Sequence, residues 1–244
     1  MLARTLLAAA LAAAASESCC AQQQQQQQQA DELHNAAEEN DAARVQELTT
    51  LGVAAGYIDE PNSEGFTSLV SAARQGNIAA VSVLLKAGAN IEAQDSHAWR
   101  ALGAAAHAGE TSVAGLLLHS KAAVEARNGD TGWTPLMAAA QEGHDDMAEL
   151  LIANGADVNA RDAGGHTALM MAAEGARFPV ARLLVQKGAD TELRTNDGWL
   201  CSFVQLAVCR GQTAVELARA TGHHELLAVM LTEPETQMYR APEF

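Results

Sequence analysis

Aromatic side chains make up only 4% of this 244-residue chain, and basic ones are outnumbered two to one by acids. With 15 Lys and Arg against 30 Asp and Glu, the formal net charge is −15, so the cationic surface that nucleic-acid phosphates require is missing. A field of that sign steers a basic partner, or simply keeps a protein in solution. Cysteine is equally sparse. Cys19 and Cys20 fall in the N-terminal stretch, and Cys201 and Cys209 stand eight apart, which is neither a metal nor a redox spacing. They would pair in an exported protein and act as small apolar residues in a cytosolic one. Outside the first 21 residues no run is apolar enough to cross a bilayer. The eight histidines include no H-x-x-x-H or H-E-x-x-H pair, and no glycine-rich phosphate loop is present. Catalytic, cofactor and metal constellations are therefore absent from this reading, which is of a non-enzyme.

What is present begins with a leader. Residues 1–21 carry Arg4, an apolar run from Leu6 to Ala15 and small residues up to Ala21, the outline of a secretory signal peptide. An alanine-rich low-complexity leader and a transit peptide are the competing readings. The compartment follows from that choice: secreted or extracytoplasmic if the leader is a signal peptide, cytoplasmic otherwise. Residues 22–30 are nearly all glutamine and read as a disordered linker.

The body of the chain repeats itself. In Gly129 to Arg161, Thr134 is placed to cap a helix with Pro135 at its first position, and Gly143 to end it. Met147, Leu150 and Leu151 then share one face of a second helix, and Gly155 takes the left-handed position after it. Quasi-copies run over 165–194, 98–127 and 65–94, offset by about 33 residues. The shared pattern G-x-T-x-L-x-x-A-A, then G, then L-L, then G-A-D/N resembles the ankyrin repeat over residues 31–231. The resemblance implies an all-α repeat solenoid, with paired antiparallel helices and β-hairpin or turn connections, that binds proteins without catalysis and works as a monomer.

The units fall at 31–61 (a polar-faced N-terminal cap), 62–94, 95–128, 129–161, 162–194 and 195–231, followed by a disordered tail at 232–244. Two departures stand out. Lys121 replaces the glycine of Gly88, Gly155 and Gly188, and Ala98 with Arg100 replace the usual glycine and threonine, so 95–128 is expected to be the soft unit. The last unit is interrupted by Leu200 to Gln212, whose removal would restore a regular opening at Thr213. A surface loop, a short helix and a translated intron are the alternatives for this insert.

One register carries the functional expectation. Phe66, Trp99, Trp133, His166 and Trp199 occupy the same place in successive units, spaced 33 or 34 apart, and include every tryptophan of the chain. A row of rings near the turn tips makes either a binding surface or the packing between units. The family's variable binding positions map by pattern to Ser63, Glu64, Arg74, Gln75, Ser96, His97, His107, Asp130, Thr131, Gln141, Glu142, Glu174, Asn196 and Asp197. By the same resemblance His144 hydrogen-bonds backbone, and Asn159 matches asparagines that are hydroxylated in animal ankyrin proteins, with turn formation as its plain role. The first reading is a scaffold that holds a protein partner, basic in character, on its concave face and tips. The alternative is a regulatory or targeting subunit of a larger enzyme system, such as a ligase adaptor or a protective partner.

Overall fold

Thr67, Thr134, Thr167 and Thr213 stand at the same point of their units. Each lies in extended backbone with its hydroxyl accepting from the amide three residues on. That bond satisfies one of the orphan donors of a helix start and fixes where the helix begins. In the 95–128 unit Arg100 takes this place with no side-chain cap, and its amide donates instead to Asn128 Oδ1 at 2.9 Å.

The computed structural model describes residues 24–50, 57–196 and 211–223, with 226, 227 and 230. The leader at 1–21, Trp199, Cys201, Cys209 and the tail at 232–244 lie outside the described residues. The helices are α1 (24–38), α2 (Ala42–Thr50), α3 (Ser68–Arg74), α4 (Ile78–Lys86), α5 (Ala101–Ala108), α6 (Thr111–His119), α7 (Pro135–Glu142), α8 (Asp145–Ala153), α9 (Ala168–Glu174), α10 (Phe178–Gln186) and α11 (Ala214–Ala220). Odd-numbered helices from α3 onward pack side by side in one row, and even-numbered ones from α2 in a second. The result is an all-helical two-row stack. Among the described residues the only strand-like pairing is one antiparallel bridge, Asn128 to Trp133, so the connections are turns rather than hairpins of any length.

The core repeats with the sequence. Leu69, Leu102, Leu136 and Leu169 are buried in the first row, and Leu84, Leu117, Leu151 and Leu184 in the second. Burying each such side chain is worth about 1.5–3 kcal/mol. Buried alanines at 72, 73, 105, 106, 139, 140, 172 and 173 let first-row helices approach closely. Lys121 has φ +73°, beside +92°, +93° and +88° at Gly88, Gly155 and Gly188, and Ala98 has φ +58°. The steric cost read from the sequence at these two positions is therefore present in the backbone.

Sequence spacing of one unit is also written into the hydrogen bonds. At the tips, the amides of Ser96, Gly129, Ala163 and Asn196 donate to the carbonyls of Gly65, Ala98, Thr131 and Gly164 at 2.7–3.0 Å. Below them, side-chain oxygens of Asp59, Glu92, Glu125 and Asn159 accept from the amides of Asn90, Ala123, Asp157 and Asp190 at 2.8–3.0 Å. Arg127 and Arg161 donate to the carbonyls of Arg161 and Arg194. Asn77, His144 and Arg177 reach back to carbonyls of the preceding unit: Ala37 and Glu38, His107, and Gln141. His144 thus bonds backbone, and Asn159 holds a turn.

Two boundaries differ from the sequence reading. Residues 24–30, expected as a disordered linker, are helical and continue into α1, where Ala30 and Leu33 are buried. Glutamine has good helix propensity, and a tract attached to a packed helix extends it without a new nucleus. In the last unit, Thr195 donates its amide to Gln212 at 3.0 Å and accepts from it through Oγ1 at 2.9 Å. In the preceding unit the corresponding turn is closed from Asp162 to His166. The opening of the last unit is therefore Gly211-Gln212-Thr213, and Gln212 holds the turn-closing place that the register assigned to Trp199.

Candidate functional site

Each described ring of the register closes a turn through its backbone. The carbonyls of Phe66, Trp99, Trp133 and His166 accept from the amides of Asn62, Asp95, Asn128 and Asp162. Returning bonds to the Oδ1 atoms of Asn62, Asp95 and Asp162 come from the amides of Phe66, Trp99 and His166. The side chains then diverge. Trp99 and Trp133 are half-buried against the core, and His166 is buried with Nδ1 3.3 Å from Asp162 Oδ1. Those three rings pack the stack as well as decorating it.

No ring contact among the described residues joins two members of the register. Phe66 instead stacks on His97 of the next tip, with centroids 5.2 Å apart and planes 24° apart. On its other side His34 of α1 lies at 6.4 Å and 23°. The guanidinium carbon of Arg74 sits 4.7 Å over the Phe66 ring. Trp99 meets His107 edge-on at 5.5 Å and 81°. The tip pairing of Ser96 with Gly65 is what carries His97 to Phe66, because it sets one tip directly beside the next.

These contacts frame a cleft of about 270 Å³ lined by Phe66, Val70, Arg74, Asp95, His97, Trp99, Ala104 and His107. Acids stand at two rims. Glu38 lies 3.7 Å from Arg74, and Glu142 lies 3.6 Å from His107. His34 is buried, and burial holds its imidazole below the ordinary value while Glu38 and then Glu64 pull it upward.

Of the residues singled out by sequence, Phe66, Arg74, His97, Trp99 and His107 converge on this cleft, with Glu142 on its rim. Glu64 is exposed at the neighbouring tip. Thr131 and Gln141 use their carbonyls to accept from Ala163 and Arg177 of the next unit. Trp133, His166 and Glu174 belong to later units and line no part of it. Two contributors were missed. His34 carries no register signal. Asp95, however, follows one that was readable: an Asn or Asp stands four residues before Phe66, Trp99 and His166, and five before Trp133.

No group of three or more His, Cys, Asp or Glu side chains among the described residues is placed to hold a metal ion. None of the described helices is long and apolar enough to cross a membrane. No curated protein matches the chain. The family model for ankyrin repeats (three copies) matches residues 33–128 and again 102–197, more than half of the chain in all. With threonine caps on α3, α7, α9 and α11, left-handed glycines after α4, α8 and α10, and a one-unit offset in core and rungs alike, the chain belongs to the ankyrin-repeat family.

Proposed function

We propose that this chain is a non-catalytic scaffold that docks a protein partner on its first-helix face and turn tips, centred on the cleft between the 62–94 and 95–128 units. Ankyrin repeats are generally protein-interaction scaffolds, and the finer placement rests on one observation. Five candidate residues from two adjacent units meet around one open cleft, whereas in a later unit His166 is buried against Asp162. Aromatic and arginine side chains at the centre of such a surface carry most of a binding energy. The stack presents them already ordered, so little entropy is lost on docking.

Arg74, His97 and His107 are exposed, so removing their side chains leaves the core intact. A full-length Arg74→Ala, His97→Ala, His107→Ala variant is expected to lose its captured partner by at least about tenfold, as hot-spot residues do. Its melting curve should stay superimposable on that of the parent. Undiminished capture by a folded triple variant would move the docking face elsewhere.

A further inference from the structure

The cleft contains more negative charge than its own turn requires. Asp95 Oδ1 accepts from the amides of His97 at 2.9 Å and Trp99 at 2.8 Å. At the equivalent position Asn62 Oδ1 does the same work for Glu64 at 3.1 Å and Phe66 at 2.9 Å. A neutral amide therefore suffices to hold this turn. At Asp95 the same job is done by a carboxylate that is buried, lines the cleft and forms no ion pair among the described residues. A carboxylate in that place, with no cation beside it, offers a charged acceptor to a cation entering the cleft.

We propose that the cleft takes an arginine side chain of a basic protein partner, its guanidinium lying against Trp99 and beside the Asp95 carboxylate. This deepens the docking reading above and rests on it. Arginine fits better than lysine because its plane stacks on an aromatic face while its fork donates to a carboxylate. The cleft already shows this chemistry on its other wall, where Arg74 lies over Phe66 and pairs with Glu38. Glu142 supplies a second acid beside His107, and the net charge of −15 draws a basic segment towards the surface.

The test uses the full chain with Trp133→Phe and Trp199→Phe, which leaves Trp99 as the only tryptophan. Three acetylated, amidated octapeptides of alternating glycine with arginine, lysine or glutamate are titrated while Trp99 emission is read. The arginine peptide should give a saturable change and bind roughly fivefold or more tighter than the lysine peptide, as a stacked, bidentate guanidinium predicts. Asp95→Asn, which keeps the acceptor oxygen, should weaken it about tenfold, in line with loss of a charged hydrogen bond. Asp162→Asn removes the same charge from the same turn register outside the cleft and should change affinity less than about twofold, because Asp162 lines no part of the cleft. Glu142→Gln, on an exposed rim, should also weaken binding and serves if Asp95→Asn does not fold. Equal losses for Asp95→Asn and Asp162→Asn, equal affinity for arginine and lysine peptides, or no saturable change would each overturn the proposal. If it fails while the triple variant still loses its partner, the docking face stands with a different occupant. If neither responds, the face itself is wrong.

Discussion

Glu174, the last residue of α9, is a carboxyl out of balance with its surroundings. Burial holds it above the ordinary carboxylate value of 4.5, with His166 pulling it down and Asp162 pushing it up. The folded-state value therefore exceeds the unfolded one. Above the folded value both states are ionised and the fold bears the desolvation cost. As pH falls through the folded value towards 4.5 the folded state binds the proton first and stability is regained. Glu174→Gln is expected to raise the melting temperature at pH 7 and to lose that advantage at pH 4, as thermal melts at the two values would show. The sequence named Glu174 as a variable surface position, and nothing near it in the chain revealed the burial. The two titratable groups that act on it, His166 and Asp162, stand eight and twelve residues earlier in the same unit. Single-residue chemistry was legible where the cause is local, as at Thr134 and Gly143, and illegible where it is set by what packs on top.

For helices and their ends, the backbone records a mismatch that the sequence announced. Lys121 stands after α6 in a left-handed conformation that its counterparts fill with glycine, and a Cβ at Gly88, Gly155 or Gly188 would meet nothing within 4 Å. The strain is thus purely conformational. Lys121→Gly relieves an αL cost of about 1–2 kcal/mol and gives back part of it through a more flexible unfolded chain. A net gain of roughly 0.5–1 kcal/mol is expected, measured as a higher urea midpoint with an unchanged slope. Helix starts and stops were readable because caps act over three or four residues. The cleft was not, because Phe66 meets His97 rather than Trp99, and that choice depends on how two turn tips sit side by side. The glutamine tract was misread for a related reason. Glutamine favours a helix too weakly to form one alone, yet residues 24–29 are helical where they continue into the packed part of α1.

Across the whole molecule, the interrupted last unit tests how far regularity holds. Because Thr195 pairs with Gln212 as Asp162 pairs with His166, the chain between the two is thirteen residues longer than in the preceding unit, a surplus that residues 198–210 would account for. Excising those thirteen residues should leave a single cooperative unfolding transition with the α11 contacts intact, whereas removing Gly211 to Thr213 as well should detach the final unit. Circular dichroism melts of the two deletions separate the outcomes. In the sequence G-W precedes the gap and G-Q-T follows it, and the ring register pointed to Trp199, which lies outside the described residues. Only the hydrogen bonds between the two edges decide which of them continues the pattern. The same rungs have a consequence for how such a chain changes over generations. Each joins a residue to one about 33 positions on, with the same kind of donor and acceptor at every step. An in-frame duplication of one such unit would recreate both of its seams with partners already matched. Length is then a trait that can grow or shrink by whole units, while the residues around one cleft are free to specialise.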